Sequence, residues 1–328
     1  LTGDPRGNGV VFTGATETAQ IIARAMAAHM APGTPLIAET GGQNAMIVDS
    51  TALPEQAVRD IVASSFRSAG QRCSALRCLY VQEDIAPHLI AMIKGAMDEL
   101  RVGDPWSLAT DVGPVIDAEA QDGIDAYLDA GSKRILHRVW APKQGHFIAP
   151  VLLKVDGIAA LDREIFGPVL HVATFRAGEL ERVIADINAR GFGLTFGLHT
   201  RIDSRVQEVS DAIHAGNIYV NRNQIGAVVG SQPFGGEGLS GTGPKAGGPL
   251  YLPRFLAPEP VTTGEDWSAE ADPRSLARAL APAPETQIAQ HLMPGPTGEL
   301  NRLSLLSRPA VLCLGPGAEA VQAQLGAV

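Results

Sequence analysis

Two residues in this chain carry side chains suited to thiol chemistry on a carbonyl group. Cys73 sits in Ser68-Ala69-Gly70-Gln71-Arg72-Cys73-Ser74, and Glu39 in Leu36-Ile37-Ala38-Glu39-Thr40-Gly41-Gly42-Gln43-Asn44. A thiolate attacks a carbonyl carbon, and a nearby carboxylate can later take a proton from the water that frees the product. Small neighbours let backbone and substrate approach the sulfur closely. The bland alternative makes Cys73 a buried small hydrophobe and Glu39 a surface carboxylate paired with Arg or Lys. A free thiol titrates near pH ~8.5, so dipoles or positive charge must favour its attacking form. Arg72 is adjacent in sequence, and backbone amides after the glycine turn are an equal source. Attack leaves an oxyanion, for which the Cys73 amide supplies one donor.

The elements that must hold these residues alternate strand and helix, which predicts an α/β fold. Residues 9–13 read as a buried strand, followed by a helix from Glu17 to His29 that Ala31-Pro32-Gly33 stops. Leu36-Ile37-Ala38 is the next strand, completing a unit of the kind that builds parallel sheets. A helix over Leu53–Ser68 delivers the chain to the cysteine, and Cys78–Val81 leaves it as a strand. Helices follow at Ile85–Leu100 and Ala118–Ala130, and Phe147–Leu153 reads as extended. A strand at Val169–Phe175, helices at Leu180–Ala189 and Ser204–His214, and strands at Thr195–His199 and Asn217–Asn221 form a second α/β layer. From Gln224 to Gly248 glycine is dense and periodicity is lost, which reads as a working loop or a flexible linker. Tyr251–Pro260 reads as extended, 262–284 as a linker rich in Ala, Pro and acid, and a small α/β piece begins near Glu285.

Bulk properties exclude several classes. The 328 residues are enough for about two domains, and the net charge of −9, with both signs interspersed, argues against a nucleic-acid surface. No window resembles a signal peptide, and no apolar run reaches the ~18 residues of a membrane span. Three widely spaced cysteines make a disulfide framework improbable and favour a reducing cytoplasm. Cys78 and Cys313 read as core residues. No Cys/His cluster has zinc-ligand spacing, so no metal is expected.

Five strings in order resemble the aldehyde dehydrogenase superfamily. They are Phe12-Thr13-Gly14-Ala15-Thr16-Glu17, Glu39-Thr40-Gly41-Gly42-Gln43-Asn44, Gly70-Gln71-Arg72-Cys73, Glu164-Ile165-Phe166-Gly167-Pro168-Val169 and Gln232-Pro233-Phe234-Gly235-Gly236-Glu237-Gly238-Leu239-Ser240-Gly241. Two finer strings, residues 69–77 and 241–249, resemble one branch: the glutamate-semialdehyde dehydrogenase half of bifunctional proline-utilisation proteins. The resemblance implies an aldehyde dehydrogenase-like fold in which 1–38 ends a Rossmann-type NAD domain and 39–220 is the thiol domain. Residues 221–261 would then be a substrate-anchor and bridging segment, 262–284 a linker, and 285–328 the start of a related C-terminal domain. It implies NAD-dependent oxidation of L-glutamate γ-semialdehyde to glutamate, with Cys73 as nucleophile and Glu39 as base for thioester hydrolysis.

Thr13, Gly14 and Ala15 stand where the family places the cofactor pyrophosphate, at a helix N-terminus whose free amides favour an anion. The family typically has Ser at the position of Ala15, so one hydroxyl contact is missing here. Glu164 and Phe166 resemble the pair that holds the nicotinamide ribose. Ser74, Ser240, Gly241 and Thr242 are expected to hold the substrate's charged end, with Phe66 against its aliphatic part and Lys245 aimed outward by Pro244. Asn44 matches a structural position rather than the family's oxyanion donor. The resemblance also implies an upstream proline dehydrogenase domain with FAD and a homo-oligomer. Because the family's usual front section has no counterpart before Val10, the chain reads as a fragment, expected to be a weak dehydrogenase alone. A related enzyme of other substrate specificity and a catalytically incomplete assembly fragment stay open as alternatives. A thiol hydrolase is a poorer third option, since no histidine has a recognisable setting beside the thiol.

Overall fold

A computed structural model describes residues 1–256 apart from positions 5 and 32, together with 272–279, 281, 286–307 and the single positions 317, 319 and 321. Strand β1 (Val10–Thr13), helix α1 (Thr16–His29) and strand β2 (Leu36–Glu39) form the expected parallel unit, with Thr13 in register beside Glu39. The main sheet opens with β3 (Ala45–Val48), an element that the sequence pattern did not announce. Helix α2 (Pro54–Phe66) then leads to β4 (Cys78–Gln82). Helices α3 (Ala86–Asp98) and α4 (Ala118–Ala130) precede β5 (Ile135–Arg138), β6 (Val151–Lys154) and β7 (Val169–Phe175). After α5 (Leu180–Asn188) come β8 (Phe192–Gly193) and β9 (Thr195–His199), then α6 (Asp203–Ala212) and β10 (Asn217–Val220).

The seven-stranded sheet runs β10-β9-β3-β4-β7-β6-β5, parallel throughout except for the β5–β6 pair. Strand β3 lies inside the sheet, between β9 and β4, with both faces buried. Met46 and Val48 pack toward α2, α3 and α4, while Ala45 and Ile47 pack with α5 and α6. Burial on both faces removes the alternation that marks a half-exposed strand, which is why Ala45-Met46-Ile47-Val48 gave no period-two signal.

Several expectations need correction. Phe147–Pro150 precedes rather than joins the regular strand β6. Residues 253–255 form a single 3₁₀ turn instead of an extended run, and 257–260 lie outside the described residues. The glycine-rich segment contains only the two-residue strand β11 (Glu237–Gly238), paired with β8. Of the expected linker, Pro273–Ala279 is helical (α7). In the tail, β12 (Gln287–Met293) and β13 (Asn301–Leu306) pair as an antiparallel hairpin, and the single described positions 317, 319 and 321 are helical. Cys313 lies outside the described residues. Among the described residues no helix is long and apolar enough to cross a membrane.

Candidate active site

Helix α2 ends at Phe66, and the next three descriptive landmarks are backbone ones: Ser68, Ala69 and Gly70 all have positive φ, at 56°, 52° and 65°. Two non-glycine residues in the left-handed region store local strain, which the surroundings must hold. A Cβ on Gly70 would overlap the Gly167 carbonyl, so glycine is required there. The chain emerges into a tight turn in which Ala75 N donates to Arg72 O at 3.0 Å, with Cys73 inside the turn. Asn44 clamps this turn from β3: its Nδ2 donates to Cys73 O (2.6 Å) and Ala75 O (2.9 Å), and its Oδ1 accepts from Thr195 N (3.1 Å). That is the structural role expected of Asn44.

Arg77 is the residue that sequence reasoning passed over. Its side chain is fully buried beneath the cysteine turn. It donates to Gly70 O (2.7 Å), Arg72 O (3.1 Å) and Gly167 O (3.3 Å), and pairs with Glu164 Oε1 at 3.0 Å. Its guanidinium carbon lies 5.3 Å from the centre of the Phe166 ring. One buried cation thus ties the Cys73 turn to the Glu164–Phe166 segment. The signal available in sequence was a charged residue placed directly before an apolar strand. Arg72, by contrast, is exposed and bonds Ser68 Oγ at 3.1 Å.

A cleft of about 1100 Å³ brings the expected cofactor and thiol residues together. Thr13, Gly14, Ala15, Glu164, Phe166, Cys73 and Ser74 all line it. Gly226, Ala227, Phe234 and Leu239 also form its wall. Ser240, Gly241 and Thr242 do not reach that wall. Ser240 is fully buried and its Oγ accepts from Gly193 N (3.1 Å), while its carbonyl accepts from Thr40 N. Gly241 bridges Glu39, and Thr242 bonds the β2 backbone at Ala38 N (2.9 Å) and Leu36 O (3.0 Å). These residues are bonded to β2, to Thr40 beyond it and to β8, while Gly226 and Ala227 line the cleft. Phe66 is likewise a core residue at 1 % exposure. Lys245 turns inward, against expectation, and donates to Gly216 O and to Asn217 Oδ1 (3.3 Å).

Glu39 stands at the end of β2 and is half-buried. Its Oε2 accepts from Gly236 N at 2.8 Å, and its buried Oε1 has no partner. Burial raises its carboxyl to about 7, against the opposing pull of the Gly236 amide and the Lys245 charge. Among the described residues no ion pair claims it. Burial also pushes the Cys73 thiol up, and the negative charge of Glu164 adds to this, while the amides of Ser74 and Cys73 pull it down. Glu164 is itself raised by burial, against Arg77 and the Gly42 amide. Its Oε2 accepts from Gly42 N at 3.2 Å, and a Cβ on Gly41 would overlap it.

The turn at residues 13–16 suits an anion. Helix α1 has no side chain capping its first amides, and Gly14 N bonds Glu39 O (3.1 Å), so the turn is fixed beside the candidate base. The cleft is therefore lined by a helix N-terminus, by a carboxylate and an exposed aromatic ring, and by a thiol. That set of groups suits an anionic cofactor.

A family model described as the aldehyde dehydrogenase family matches residues 1–260. The bifunctional protein PutA of Escherichia coli (strain K12) is 47% identical over 371 residues, covering 100% of this chain. The chain spans 28% of the length of that relative. A crystal structure of a bifunctional proline utilization A (PutA) protein superimposes with a TM-score of 0.76 at 56% identity, over 78% of this chain and 26% of that one. A 1-pyrroline-5-carboxylate dehydrogenase from Thermus with bound NAD gives a TM-score of 0.72 at 34% identity, over 78% of this chain and 51% of that one.

Proposed function

Since the chain belongs to the aldehyde dehydrogenase family, we propose that it carries the thiol chemistry of an NAD-dependent oxidation of L-glutamate γ-semialdehyde to L-glutamate. The observation that carries this reading is a thiol that lines the cleft, with a half-buried carboxylate, its Oε1 unpartnered among the described residues, close enough for its charge to act on that thiol. Cys73, once deprotonated, adds to the aldehyde carbon and forms a thiohemiacetal oxyanion, toward which the Cys73 amide can donate. Bound NAD would accept the hydride that converts this adduct into a thioester. Thr13, Gly14 and Ala15 would hold its phosphates, and Glu164 and Phe166 its ribose and nicotinamide. Glu39 then takes a proton from water, whose oxygen attacks the thioester carbon; the carbon–sulfur bond breaks, the carboxylic acid is released with Cys73 as thiolate, and the proton on Glu39 is free to return to that sulfur.

The wall that meets the substrate is assigned to Ser74, Gly226, Ala227 and Phe234. Gly226 has φ 74°, a conformation that lets backbone amides face a ligand without a side chain intervening. Such amides suit the α-carboxylate of the semialdehyde. The relatives named bifunctional support a second activity in the longer polypeptide, which the sequence reading assigns to proline dehydrogenation.

The test is NADH formation from the semialdehyde by this chain supplied with NAD. Cys73→Ser should abolish it; an undiminished rate in that variant defeats the proposal. Ser74→Ala separates this substrate from other aldehydes: KM should rise for the semialdehyde and stay constant for propanal. Equal changes for both would assign the cleft to a different aldehyde.

A further inference from the structure

The glycine-rich segment that lies along β2 contains a half-buried cation that the mechanism above does not use. Phe234 and Ala246 exchange backbone hydrogen bonds (3.0 and 2.8 Å), which brings Lys245 against the Gly235–Gly236 turn. The Lys245 ammonium donates to Gly216 O, to Asn217 Oδ1 and to Gly235 O (3.4 Å). Asn217, the first residue of β10, grips the same turn. Its Oδ1 accepts from Gly235 N (3.2 Å) and its Nδ2 donates to Pro233 O (2.9 Å). The next amide along, Gly236 N, is the group that holds Glu39 Oε2.

The carboxylate is wedged between two stretches of bare backbone. A Cβ on Gly235 would lie 3.0 Å from Glu39 Oε1, and one on Gly241 only 2.9 Å from it. A Cβ on Gly216 would overlap the Gly235 carbonyl. The Gly236 amide can therefore meet Glu39 only while the 235–236 turn stays drawn onto the start of β10, and Lys245 with Asn217 supplies that tie.

We infer that Lys245, together with Asn217, is a positioning residue for Glu39: it fixes the turn whose amide orients the carboxylate. This deepens the reading of Glu39 as general base and rests on it. Two consequences share one sign. The Lys245 charge favours ionised Glu39, and the turn that Lys245 anchors delivers the Gly236 hydrogen bond, which favours it as well. Burial lowers Lys245 itself to about 8, opposed by the charges of Glu237 and Glu39, so it is still largely protonated while Glu39 titrates.

The experiment reads the Gly236 amide directly in [15N]glycine-labelled chain, following its shift with pH. Wild type should show a step with a midpoint of about 7, absent in Glu39→Gln, which identifies the signal. Lys245→Met should move that midpoint upward. Lys245→Arg, keeping the charge and the donors, should hold it near the wild-type value. Asn217→Ala, which keeps the charge but frees Gly235 N and Pro233 O, should move it upward by less. A Lys245→Met variant with a native circular-dichroism spectrum and an unmoved midpoint overturns the inference. Where Lys245→Met does not fold, an unmoved midpoint in Asn217→Ala overturns it equally. A kinetic arm, decay of preformed acyl-Cys73, should slow about tenfold in Lys245→Met and recover in Lys245→Arg, a part of the usual general-base contribution. Normal titration shifts with unaltered decay would defeat Glu39 as the base while leaving the positioning of its carboxylate intact.

Discussion

Hydrolysis of an acyl group on Cys73 should follow the ionisation of Glu39, and this can be separated from the chemistry that loads the acyl group. Loading requires a thiolate, and Cys73 is raised above its ordinary value of 9.0, so loading accelerates across the whole neutral range. Unloading requires ionised Glu39, whose midpoint is about 7. At pH 6 about a tenth of Glu39 is ionised, and at pH 8 about nine tenths, so unloading should speed up roughly tenfold between them and then level off. The assay forms acyl-Cys73 with excess 4-nitrophenyl acetate, removes the reagent by rapid desalting, and follows loss of the acyl mass at each pH. No cofactor is needed. Glu39→Gln should slow the decay by about 10²–10⁴-fold and flatten its pH dependence, as expected for removal of a positioned base. A decay rate in Glu39→Gln within a few-fold of wild type, still rising through pH 7, would falsify the assignment. It would mean that water attacks the thioester unaided or through another group.

Three further outcomes follow from the same geometry. Glu164→Gln removes a negative charge that acts on Cys73, so the pH profile of Cys73 alkylation by iodoacetamide should move to lower pH; an upward or absent shift contradicts the electrostatics. Gly41→Ala drives a Cβ into the Glu164 carboxylate and should cost roughly 1.5–3 kcal/mol in urea unfolding, the worth of a charge-assisted hydrogen bond, because Glu164 must leave Gly42 N and Arg77. Glu39 has its folded-state carboxyl raised from 4.5, so its contribution to stability is fully present below pH 4.5 and lost as pH rises through about 7. Glu39→Gln should therefore stabilise the chain above pH 7, by roughly 1–2 kcal/mol after solvent screening, and not below pH 4.5; thermal melts at pH 4 and 8 decide it.

Much of the fold was legible because most helices here have one apolar stripe and most strands are bounded by turn residues. Val169–Phe175, Thr195–His199 and Ala118–Ala130 emerged with the bounds that the pattern suggested. Strand β3 was not legible. Its four residues are all buried, and a short run with no polar face has no period to detect. The site was legible where chemistry and backbone need coincide, as at Gly70, which must be glycine, beside Cys73, which faces the cleft. It was misleading where small polar residues were read as ligand contacts. Ser240 and Thr242 look available in sequence, yet their hydroxyls are consumed by Gly193 N and by the β2 backbone. Sequence cannot distinguish a hydroxyl facing a ligand from one fastening a loop. The fastening nonetheless matters to function, because it lays the loop across Glu39.

The electrostatics of the cleft set a constraint on how Cys73 is activated. Both nearby carboxylates, Glu164 first and Glu39 less strongly, disfavour the thiolate, and burial disfavours it further. Among the described residues, the influences that favour it are the amides of Ser74 and Cys73 and the attraction between the thiolate and Arg77. Arg77 is masked by its pair with Glu164. The thiol is therefore held above its ordinary value, and Arg72 is exposed and turned to Ser68. Any bound group that hydrogen-bonds the Glu164 carboxylate and draws it from Arg77 would unmask a buried guanidinium below the sulfur. The thiolate would then gain the charge that Glu164 had held. Glu164 thus lines the cleft while its charge both opposes the Cys73 thiolate and holds Arg77, so its removal should ease ionisation of the thiol.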